Sequence, residues 1–99
     1  MAKAQNWRRS TAFTTRSVIE GVSPILLVCH GKDGTWQFLP GGEVDVSDGV
    51  AAHTAHILDD HPEVHELADL PREWAAERAS TEAPWQRYPW PDVDDPQPQ

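Results

Sequence analysis

Residues 24–42, P-I-L-L-V-C-H-G-K-D-G-T-W-Q-F-L-P-G-G, limit what this chain can fold into more than any other stretch. Residues 25–29 are apolar at every position, the pattern of a strand buried on both faces. A Gly-Lys-Asp-Gly loop follows, and then Trp36-Gln37-Phe38-Leu39. Strand side chains alternate, so Trp36 and Phe38 share one face. The two segments read as a hairpin turning at residues 31–34, with Gly34 taking the left-handed backbone that such a loop needs. Leu26, Val28, Trp36 and Phe38 are therefore expected in the core. Cys29, the only cysteine, is expected there too as a small apolar residue rather than a nucleophile.

The flanking sequence supplies the rest of a small α+β domain. Ala12-Phe13-Thr14 is β-prone. Thr14 or Thr15 can cap a short helical turn ending at Gly21. An uninterrupted strand over residues 13–19 is the competing reading. Residues 50–60 also allow two readings. One is a single helix capped at Asp48. The other is a short strand at residues 50–52 followed by a helix from Thr54. His61-Pro62 ends either helix, because the residue before proline avoids the α region. Pro62 then opens a new turn, with Glu63 at its positive end. Val64, Leu67 and Ala68 recur at helical spacing. Asp69-Leu70-Pro71 predicts a further helix through Arg78, with Trp74 inward. The expected fold is α+β: a small antiparallel sheet of three to four strands around the central hairpin (about 24–39), packed against two or three short helices. One domain over residues 10–82 is expected, between a flexible N-terminus, 1–9, and a Pro/Asp-rich tail, 83–99, that is partly disordered. At 99 residues, one modest core is all the chain can bury.

Charge narrows the function. The net charge is −8, unevenly placed. Residues 1–34 hold five cations against two carboxylates, whereas the remainder holds three arginines against fourteen carboxylates. An acidic body repels phosphate, so direct nucleic-acid binding is not expected. A basic protein would instead be attracted and steered. No apolar run approaches the ~18 residues of a membrane span, and no apolar stretch follows the early basic residues as in a secretory signal. No membrane association and a cytoplasmic location are expected.

No catalytic constellation is visible. The serines sit in caps, turns and ends without a G-x-S-x-G elbow, and the glycines form no phosphate loop. His53, His56, His61 and His65 lie within thirteen residues, among several carboxylates. Spacings of three and four can put two imidazoles on one helical face, as zinc sites require. A metal-binding enzyme or regulator built on this segment, 53–65, is thus the alternative to a binding protein. Against it, His-Pro-Glu-Val-His lacks the glutamate beside the first histidine that metalloprotease helices use, and proline interrupts the helix. No cofactor is implied. Asp59, Asp60, Glu63, Glu66 and Asp69 form a row of carboxylates, the best candidate for a partner-binding surface. Arg72, Arg78 and Arg87 read as solvated or paired with nearby glutamates. Tyr88-Pro89-Trp90-Pro91 is a second candidate docking element.

Taken together, G-V-S-P-I-L-L-V-C-H (21–30), D-G-T-W-Q-F-L (33–39), H-P-E-V-H-E-L-A-D-L-P (61–71) and W-A-A-E-R (74–78), then Trp85, resemble a family of small bacterial domains of unknown function. Some of its members are described as predicted immunity proteins beside polymorphic toxins. The resemblance covers about residues 13–87. It implies an α+β fold with the W-Q-F-L strand central, and it favours the strand-then-helix reading of residues 50–60. It carries no established catalytic or binding residues. Two departures stand out: His61 replaces the family's usual aspartate before the proline, and Glu73 replaces its usual glycine before the tryptophan.

Overall fold

A computed structural model describes residues 10–41 and 46–90. The expectations for residues 1–9, for the loop 42–45 and for the tail beyond Trp90 lie outside the described residues.

The hairpin forms as its sequence requires. β2 (Leu27–His30) and β3 (Trp36–Leu39) pair antiparallel, with Leu27 opposite Leu39 and His30 opposite Trp36. Gly34 closes the turn at φ +92°, a left-handed backbone that selects glycine. Asp33 Oδ1 accepts the Thr35 amide at 3.0 Å, an Asx turn that lowers the Asp33 pKa.

Upstream, β1 (Thr11–Thr15) runs into a one-turn helix, α1 (Arg16–Ile19). Thr15 is its N-cap, accepting the Val18 amide at 3.3 Å, and Gly21 follows at φ +78°. Downstream, a 3-10 turn (Val46–Asp48) leads into β4 (Gly49–His53) and α2 (Thr54–Asp60), which settles residues 50–60 in favour of strand then helix. A 3-10 helix (Pro62–Leu67) follows, starting at the proline.

The sheet departs from expectation. Among the described residues it has six strands in the order β4-β1-β3-β2-β5-β6 and is mixed, since β1 and β3 run parallel, with Ala12 opposite Trp36. An antiparallel sheet of three to four strands is therefore too small and has the wrong pairing. Two misread segments account for the excess. W-A-A-E, expected in a helix, is β5 (Trp74–Glu77), paired antiparallel with β2. Gln86–Pro89, expected in the tail, is β6 and pairs with β5. Pro89 is tolerated because β6 is an edge strand with no ladder on its outer side among the described residues.

Cross-strand register explains where the core sits. Ala12, Trp36, Val28, Phe38 and Ala76 are mutual partners on one face of the sheet, and all are buried. Val18, Ile57, Leu58, Val64 and Leu67 from the helical segments close over that face. His30 stacks on Trp36 with ring centroids 3.9 Å apart, and its Nδ1 donates to the Leu70 carbonyl at 2.8 Å. Thr14, buried beside Phe38, donates its hydroxyl to the Phe38 carbonyl at 2.6 Å. Leu26 and Trp74 are half-buried, and Trp74 packs against the core. The opposite face carries the row Phe13, Gln37, Cys29, Ala75 and Tyr88, of which Phe13 is 52% exposed.

Candidate functional site

The acidic row lies on α2 and the 3-10 helix, which the core holds from beneath. Ile57 and Leu58 of α2, and Val64 and Leu67 of the 3-10 helix, are buried, so helical spacing turns the intervening polar residues outward. α2 starts where the Thr54 amide donates to the Ser10 carbonyl at 3.0 Å, and it stops at His61 ahead of Pro62. His61 braces the junction: Nε2 donates to the Val18 carbonyl at 3.4 Å, and Nδ1 lies 4.0 Å from Glu63 Oε2. Asp59, Asp60, Glu63, Glu66 and Asp69 are all exposed along this one segment.

The five carboxylates are not equivalent. Glu63 accepts from Arg78 Nη2 at 3.1 Å, and Asp69 accepts from Arg87 Nη1 at 2.9 Å. Asp60 lies 3.4 Å from His56 Nε2, one helical turn away. Glu66 has no ion pair among the described residues, although its backbone carbonyl accepts from Arg87 Nη2 at 2.9 Å. The arginines thus fasten the segment to the β5–β6 end of the sheet, while most of the negative charge still faces solvent.

Arg78, expected to be solvated or paired with a glutamate, is paired with Glu63 but only 6% exposed. Its Nε and Nη2 both donate to the Ile25 carbonyl, at 3.1 and 2.8 Å, and its guanidinium lies 4.4 Å over the Trp85 ring. Forked donation and stacking are what arginine does better than lysine. Nothing in A-A-E-R-A-S marks this arginine as buried. The signal lies in Trp85 and Glu63, distant in sequence and adjacent only after folding.

The histidines do not converge. His53, His56 and His65 are exposed and His61 is braced as described, and among the described residues no three His, Cys, Asp or Glu side chains come together in metal-holding geometry. Cys29 is buried, and burial, helped by the Glu77 charge, pushes its thiol up to about 11, so it stays a neutral core group. Burial also raises the Tyr88 phenol, whose hydroxyl donates to Glu77 Oε1 at 3.4 Å. Among the described residues, no helix is long and apolar enough to cross a membrane.

No family model, curated protein or solved structure matches the chain. The resemblance to a family of small bacterial domains of unknown function therefore rests on the quoted motifs alone.

Proposed function

We propose that this protein is a non-enzymatic, cytoplasmic binding module, an immunity protein that neutralises a basic toxin by docking it on the acidic segment 59–69. One observation carries the reading: five exposed carboxylates lie on a single segment whose backbone is fastened from below by Ile57, Leu58, Val64 and Leu67 and at its end by Arg87. A charged surface held in place loses little freedom on binding, and complementary charge speeds encounter and rejects wrong partners. The acidic balance of the chain, and its resemblance to a family with some members described as predicted immunity proteins, support the same reading.

The test neutralises Asp59, Asp60 and Glu66 and spares the two carboxylates bonded to Arg78 and Arg87. A D59N/D60N/E66Q variant leaves Glu63 and Asp69, and so the fastening, in place. When the chain is co-expressed with a basic effector encoded beside its gene, growth is restored. Capture of that effector by the triple variant weakens at least about tenfold, through slower association that salt mimics. Equal capture by the variant and the wild type rules the segment out.

A further inference from the structure

The two ends of the sheet are treated differently. β6 ends in Pro89 and carries Arg87, features that discourage another strand from pairing with it. β4, at the other end, is Gly-Val-Ala-Ala-His, with no proline, lysine, carboxylate or bulge. Its register shows which backbone groups face outward. The Thr54 amide bonds the Ser10 carbonyl, so Ala52 and Val50, two and four residues earlier, make the hydrogen-bonded pairs with β1. Gly49, Ala51 and His53 therefore direct their N–H and C=O groups away from β1. No described residue adds a strand on that side.

Beside this edge lies an open groove of about 420 Å³, lined by all of β4 except Gly49 together with Arg16 and Ile19 of α1 and His56 of α2. Its lining is mostly apolar, and its three polar side chains are all basic, the reverse of the protein as a whole. Two carboxylates beside the groove are already engaged: Asp48 lies 3.8 Å from Arg16, and Asp60 lies 3.4 Å from His56. Both pairs are exposed, and pairs of that kind exchange readily for a better-placed partner. Carboxylates farther from the groove than a Debye length, about 8 Å at physiological salt, are screened from it.

We propose that β4 and its groove dock an extended acidic segment of a partner protein, which joins the sheet as a seventh strand. Backbone bonds to Gly49, Ala51 and His53 supply the pairing. An apolar side chain enters against Ile19 and Val50, and neighbouring carboxylates meet Arg16, His53 and His56. Asp60 of the acidic segment touches the groove through His56, but the pairing edge of β4 lies outside that segment and takes a partner of opposite charge, so the proposal stands whether or not the toxin reading holds.

The experiment titrates the full chain, isotope-labelled, with a synthetic peptide of alternating aspartate and valine, alongside its lysine–valine counterpart. The expected result is saturable binding of the acidic peptide, shifts centred on Gly49, Ala51, His53 and Arg16, and slowed hydrogen exchange at the Ala51 amide. Ala51→Pro removes an outward amide while sparing the bonds to β1, and it lowers affinity tenfold or more. Arg16→Gln, on an exposed helix, lowers it several-fold and covers the case in which the proline variant does not fold. Three outcomes would each overturn the proposal: no saturable binding of the acidic peptide, equal or tighter binding of the lysine peptide, or shifts confined to residues outside β4 and α1. Pairing of two copies through β4 without peptide, seen by sedimentation, would also overturn it.

Discussion

Arg78 joins four parts of the molecule: the end of β5, the Ile25 carbonyl ahead of β2, Glu63 on the 3-10 helix, and Trp85 ahead of β6. Replacing it with methionine leaves the Ile25 carbonyl without its donors and the Trp85 ring without its cation. The expected loss is about 2–4 kcal/mol. Little of that comes from the ion pair itself, since the Glu63 side chain is 40% exposed and water screens it. Arg78→Lys, which keeps the charge but not the fork, should recover less than half of the loss; full recovery in denaturant unfolding would show that charge alone matters. His30 gives a pH-dependent expectation. Burial lowers its pKa from 6.5 by more than the Leu70 hydrogen bond restores. The unfolded chain therefore takes up this proton at a higher pH than the folded one. The contribution to stability is whole above about pH 6.5 and falls as pH drops through that value toward the depressed folded pKa. His30→Asn keeps a donor for Leu70 but cannot titrate, so its unfolding midpoint should decline less between pH 7 and 5 than that of the wild type. Identical declines would contradict the assignment.

Among the elements, β5 shows where local sequence misleads. Five residues, W-A-A-E-R, satisfy a helical or an extended pattern equally, and alanine, glutamate and arginine favour the helix. What decides is β2, a buried strand with an open side that takes up Trp74–Glu77 along its whole length. Entry into β5 needs a left-handed residue, and Glu73 supplies it at φ +68°, the one non-glycine with positive φ among the described residues. A β-carbon costs about 1–2 kcal/mol in that conformation, part of which glycine returns through its looser unfolded chain. Glu73→Gly should therefore stabilise the protein by about 0.5–1 kcal/mol, raising Tm by a few degrees, while Glu73→Ala should not. A glycine variant no more stable than the alanine variant would refute this. Elements whose signals are local were legible: the Gly34 hairpin, the Thr15-capped turn, and the break at His61-Pro62. β6 was not, because Tyr88-Pro89 reads as a tail until the edge of β5 is there to receive it.

For the molecule as a whole, strand alternation pointed to Val28, Trp36 and Phe38 as core, but it did not give the order of the strands. The parallel pairing of β1 with β3 joins segments more than twenty residues apart, and no turn signal records it. The acidic row was legible as exposed charge, because carboxylates between buried aliphatics have nowhere else to go. The arginines that fasten it were not, because their partners meet only in the folded state, and the basic lining of the β4 groove is likewise a product of three separate elements. The sheet's unequal ends have a last consequence. Fibre growth by strand addition requires each subunit to offer two receptive borders, one to accept and one to extend. Among the described residues one border leaves its outward backbone groups without a neighbouring strand and the other carries Pro89, so a strand added at the first leaves no second border of this chain to propagate the array. Such a protein can accumulate to high concentration with its backbone still open to a guest.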